Sequence, residues 1–115
     1  MKTIKINKEQ YDLHFGIDFI REMDKRHQVD ANGFPLGVGV QAAVIHLVQR
    51  NPVILEDIIL SATHTLKSIP SKAEIEAWLE EQENLEAVFE DFLTSLKNAP
   101  ILKNQVNKLL EAGEA

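Results

Sequence analysis

The residues from Thr3 to Asp24, TIKINKEQYDLHFGIDFIREMD, change periodicity at one glycine, and that change constrains the fold more than any other feature of the chain. Ile4 and Ile6, then Tyr11, Leu13 and Phe15, recur at every second position, which lines one face of a strand with apolar groups. Between them, Asn7 to Gln10 supply a polar turn, and Asn or a neighbour can take the left-handed conformation of a tight connection. The spacing predicts a β-hairpin over 3–15. After Gly16 the apolar residues Ile17, Ile20 and Met23 stand three apart, so a helix is predicted over 17–27. A lone hairpin is marginal in water, and its apolar face needs cover from the segments that follow.

Those segments carry helical spacing. His27 to Gly39 holds Asn32-Gly33, Pro35, Gly37 and Gly39 and reads as the one long loop. Val40, Val44, Leu47 and Val48 then form a one-sided stripe, giving a helix over 40–50. Asn51-Pro52 ends that helix and opens the next, with Asn as N-cap and Pro at the first helical position. Leu55, Ile58, Ile59, Ala62 and Leu66 carry it over 52–67, with Glu56 and Asp57 near the positive end of its dipole. Ser71 and Glu74 form a capping box for a helix over 71–81 whose apolar side is Ile75, Trp78 and Leu79. Leu85, Val88, Phe89, Phe92 and Leu96 give the strongest amphipathic pattern, over 84–98, ending before Pro100. Leu102, Val106, Leu109 and Leu110 define a last helix over 101–111, with a fraying tail from Glu111 to Ala115. The expected fold is mostly α, an α+β arrangement in which an N-terminal β-hairpin packs on a bundle of five to six helices.

A chain of 115 residues is expected to be a single domain, 1–115, able to bury a core without metal or disulfide. Cysteine is absent, which removes thiolate nucleophiles, disulfides and Cys-ligated zinc. No apolar run approaches the roughly 20 residues of a membrane span, and the opening residues lack the apolar core of a signal peptide, so a cytoplasmic location is expected. Eighteen acids against twelve bases give a net charge of -6, which disfavours nucleic acid and anionic membrane as partners.

The chemical motifs are weak. Gly37-x-Gly39-x-x-Ala42 matches a dinucleotide fingerprint, with Glu56 or Asp57 near the distance of a ribose-binding acid, but no buried strand precedes it. Four histidines invite a metal reading: Asp24 and His27 can share a helix face, and His46 and His64 can meet across the Asn51-Pro52 turn. Zinc demands a further ligand at helical spacing, which the sequence does not offer. His14 is expected on the polar face of its strand. Ser61, Ser68, Ser71 and Ser95 stand in no nucleophile motif, and Glu80-Glu81 and Glu90-Asp91 read as solvated helix faces. The helix pair over 40–67 imitates a helix-turn-helix, yet Glu56 and Asp57 would meet phosphate first. Expected catalytic, cofactor and metal residues are therefore none. Trp78 is the candidate partner anchor, weighed against the core position that its spacing from Ile75 favours.

One resemblance extends this reading. Tyr11-x-Leu13-x-Phe15-Gly16, a helix ending Arg21-Glu22-Met23-Asp24, a glycine-bearing loop, Asn51-Pro52-x-x-Leu55-x-Asp57-Ile58-Ile59 and Leu85-Glu86-x-x-Phe89-x-x-Phe92-Leu93-x-x-Leu96-Lys97 follow in order from about Ile4 to Asn98. This arrangement resembles the tail assembly chaperones of long-tailed phages and prophages of Gram-positive bacteria. The resemblance implies a non-enzymatic assembly factor that binds the tape measure protein and assists polymerisation of tail tube protein around it. It leaves open a homo-oligomer and a longer frameshifted product. The alternative is a small non-enzymatic regulatory or adaptor protein of a mobile element.

Overall fold

The computed structural model describes residues 2–114. Strands β1 (Lys2–Ile6) and β2 (Glu9–Leu13) pair antiparallel, with Ile4 opposite Tyr11 and Ile6 opposite Glu9. The connection is two residues long, not four: Asn7 and Lys8 have φ of 51° and 67°, the double positive φ of a type I′ turn, whose twist matches that of the strands. Helix α1 (Ile17–Arg26) follows Gly16, and its Phe19 and Met23 are buried.

The segment after α1 departs from expectation. In place of the one long loop, β3 (Gln28–Ala31) and β4 (Phe34–Gly37) form a second antiparallel hairpin. Its turn is Asn32-Gly33, with φ of 54° and 88°, again type I′. The turn residues are the hairpin dipeptide itself. The Asp30 carboxylate accepts a hydrogen bond from the Gly33 N–H at 3.0 Å and fixes the tip. Beyond the strands, Val38 N–H donates to the His27 carbonyl at 2.9 Å, so the ladder continues to the end of α1.

Helices α2 (Gly39–Val48), α3 (Val53–Thr63), α4 (Lys72–Glu80), α5 (Leu85–Asn98) and α6 (Lys103–Glu114) complete the described chain. The six helices and the first hairpin match the expected mostly helical α+β class. Two helix boundaries differ by three residues or more, the others by no more than two. Helix α3 stops at Thr63, four residues before the expected end, where the Thr63 hydroxyl donates back to the Ile59 carbonyl at 2.7 Å and Leu66 N–H turns onto the Thr63 carbonyl. Helix α6 continues through Glu114 instead of ending at 111, and Ala115 lies outside the described residues. At the start of α3, Asn51 performs its expected cap from one place earlier: its side-chain oxygen accepts from Val53 N–H at 3.1 Å, and Pro52 occupies the cap position. The capping box of α4 forms as read, with Ser71 and Glu74 bonding each other's backbone N–H.

One buried cluster gathers Ile4, Ile6, Tyr11 and Leu13 of the first hairpin with Phe19 and Met23 of α1, Val40 to Leu47 of α2, and the inner faces of α3 and α5. The buried stripe of α2 is Val40, Ala43, Val44 and Leu47; Val48, expected in it, is exposed at the helix end. His14 N–H donates to the Ala62 carbonyl at 3.0 Å and ties the end of β2 to α3. Asn7 reaches Glu74 of α4 at 3.1 Å, and the Lys2 ammonium pairs with Asp91 of α5 while lying over the Phe92 ring. The first hairpin is thus fastened on three helices.

Candidate functional site

The residues singled out for chemistry disperse. Gly37 and Gly39 are explained by helix packing, with no phosphate needed: a Cβ on Gly37 would sit 2.5 Å from Asp24 Cγ, and one on Gly39 would sit 2.6 Å from the Asp24 backbone nitrogen. Gly39 is already the first residue of α2, and its N–H donates to the Asp24 carboxylate at 2.8 Å, so an acid on α1 occupies the helix end that a pyrophosphate would need. The anion site is filled from within the chain.

The histidines also separate. His46, at the end of α2, faces Asn51 at 3.4 Å, whereas His64, beyond α3, faces Glu22 of α1 at 3.6 Å. They do not meet across the turn. His27 leaves Asp24 to that glycine and pairs with Asp57 of α3 at 3.0 Å. Among the described residues no group of three His, Asp or Glu side chains converges in a geometry for a metal ion. His14 is exposed, as its strand position implied.

A small cavity near 210 Å³ lies between α1 and α3, lined by His14, Asp18, Ser61 and His64 among others. His64 and Ser61 both line it, and Glu22, outside the lining, stands 3.6 Å from His64, which gives an order of acid, imidazole, hydroxyl. The order does not make a nucleophile: Ser61 is 1% exposed, and no hydrogen bond joins its hydroxyl to the imidazole. The acidic pairs of α5 serve structure. Glu86 and Glu90 both hold Arg50, whose guanidinium also donates to the Leu47 carbonyl at 2.9 Å and lies over Phe89. That hydrogen bonding keeps the Glu86 carboxyl below the usual carboxylate range. Trp78 is half-buried against the core.

What the surface does offer is apolar. Register places Val29 opposite Leu36 and Ala31 opposite Phe34, so all four point to one side of the second hairpin. That side is open. Val29 is 48% exposed, Leu36 54% and Phe34 74%, the largest exposure of any big apolar side chain described. Phe34 stands next to the turn, where the fixed φ values of Asn32 and Gly33 hold it out. The edges of this hairpin are unequal. Asp30 and Pro35 form the pair next to the closing one, whose backbone groups point outward, so β4 presents a proline nitrogen with no hydrogen while β3 presents the Asp30 N–H and carbonyl. A smaller set, Ile45, Val48 and Val53, is exposed around the α2–α3 corner.

Sequence reasoning missed the Val29, Ala31, Phe34 and Leu36 face. Its signal is Asn-Gly between two short alternating runs, masked by glycines and a proline that ordinarily break regular structure.

With this surface and fold described, comparison with known families decides the affiliation. The family model described as phage tail assembly chaperone protein, TAC, matches residues 3–111. The chain belongs to that family. The match spans both hairpins and nearly the whole helical array, in agreement with the resemblance drawn from the sequence. Searches of curated proteins and of solved structures found no match. No helix among the described residues is long and apolar enough to cross a membrane.

Proposed function

We propose that this tail assembly chaperone binds the tape measure protein in the host cytoplasm, keeps it soluble, and hands it to tail tube protein during assembly. The observation that carries this reading is the family match over residues 3–111, joined to an apolar face left open on a chain whose core is already complete. A long chain awaiting its tube exposes apolar segments that would otherwise aggregate. A small acidic protein with an uncovered apolar face and a charge of -6 can mask such segments and keep the complex soluble.

Co-expression tests it. Tape measure protein from the same genome should precipitate when made alone and co-elute with this chain on gel filtration when both are made together. Moderate salt should slow formation of the complex without dissolving it, because apolar contact supplies affinity and charge supplies encounter rate. A client that stays insoluble in both cases, with DNA or a transcription factor co-purifying instead, would replace this reading with that of a small regulator.

A further inference from the structure

We infer that the open face of the β3–β4 hairpin is the client site, and that its occupant is an amphipathic helix whose apolar stripe lies across Val29, Ala31, Phe34 and Leu36. The inference rests on the chaperone reading and gives it a place and a chemistry.

The molecule itself indicates the occupant. Its two hairpins share one design: a two-residue type I′ turn and a face of four apolar side chains, Ile4, Ile6, Tyr11 and Leu13 in the first and Val29, Ala31, Phe34 and Leu36 in the second. The first face is roofed by helices, and its four side chains are buried. Among the described residues the second has no roof. A helix supplied by a partner restores at β3–β4 the packing that α3 and α4 provide at β1–β2, with side chains spaced three and four apart dropping between Val29, Phe34 and Leu36.

Two other occupants fit less well. Strand addition at the open β3 edge would lengthen the sheet and leave the apolar face in water. A second copy stacked face to face would bury on the order of 300 Å² from each chain, about 600 Å² in total, below the roughly 1,200 Å² total of stable specific interfaces. Charge narrows the helix further. The chain as a whole carries -6, and Asp30, on the opposite side of the hairpin from the apolar face, is the one charged side chain of its strands, so long-range steering favours a stripe flanked by Lys or Arg over one flanked by acids.

The test compares three chains co-expressed with tape measure protein: wild type, the double variant Phe34→Ser/Leu36→Ser, and the control Ile101→Ser, which removes another exposed apolar side chain, in the α5–α6 link. Circular dichroism and melting of each purified chain confirm that the fold is kept, as expected for exposed positions. Soluble complex should fall at least about tenfold for the double variant and stay at the wild-type level for the control. A benzoylphenylalanine at position 34 should crosslink to client peptides with apolar residues three and four apart and basic flanks. Undiminished complex with the folded double variant would overturn the site. Crosslinks to a second copy of this chain, or to a client segment of strict alternation, would overturn the occupant. Failure of the wild type itself to solubilise the client would defeat the chaperone reading first, a result distinct from the other two.

Discussion

The two hairpins differ in what surrounds them: helices cover the apolar face of one and leave that of the other open. β1–β2 is held by α3 through His14, by α4 through Asn7 and Glu74, and by α5 through Lys2 and Asp91. β3–β4 touches the body mainly at its base, where Gly37 lies against Asp24 and Val38 bonds to His27. Equal local geometry therefore does not mean equal contribution to stability. Apolar side chains stabilise in proportion to the water they shed, and the second set has shed little.

The largest effect should come from truncating matched leucines. Leu13→Ala, in the covered hairpin, is expected to cost about 2–5 kcal/mol, while Leu36→Ala in the open one should stay within about 0.5 kcal/mol, both measured by urea unfolding. Similar losses at the two sites would mean that β3–β4 is packed as tightly as β1–β2, and the comparison would fail.

A smaller effect is expected at the turns. Lys8 sits at φ 67°, where a side chain costs energy, whereas Gly33 sits at φ 88° without that cost. Lys8→Gly should stabilise by about 1 kcal/mol, because the first hairpin folds with the core. Gly33→Ala should leave the global melting temperature nearly unchanged while increasing amide exchange in β3–β4. If global stability fell by the amount gained at Lys8, the second hairpin would belong to the same cooperative unit.

The mildest effect concerns pH and the cover of the first hairpin alone. Burial on α3, followed by the nearby Glu76 carboxylate, pushes the Glu56 carboxyl above its usual value, while Lys72 at 3.7 Å opposes the shift. A raised folded pKa means that the folded state holds the proton longer than the unfolded chain does. The group is neutral to stability below the ordinary glutamate range and becomes unfavourable as pH rises through the folded value. Glu56→Gln should thus equal the wild type near pH 4 and be the more stable at neutral pH. Equal stability of the two at all pH values would show that Lys72 cancels the penalty.

The sequence revealed those parts of the fold whose cause is local and one-sided. The alternation of Ile4, Ile6, Tyr11 and Leu13, the capping box at Ser71 and Glu74, and the stripe from Leu85 to Leu96 all fold as their spacing predicts. The second hairpin was hidden because its strands are four residues long and neither is buried, so Gly37 and Pro35 outweighed Val29, Phe34 and Leu36. The end of α3 was hidden for another reason: Leu66 still touches the core from a turn, and its spacing continued a helix that the Thr63 hydroxyl had already closed. The candidate site lay within the misread segment. An exposed apolar face has no buried partner to fix a period, so patterning is weakest where binding surfaces lie. Trp78 drew attention as a large aromatic, yet the exposed aromatic is Phe34.

Pro35 has a consequence for the number of neighbours this protein can acquire. A free two-stranded ribbon ordinarily accepts a strand on either side, and two open sides are what growth into a fibre requires. Here β4 is capped at its centre by a nitrogen that cannot donate, which leaves one accepting side. A strand-to-strand encounter between copies through this hairpin therefore ends at a pair.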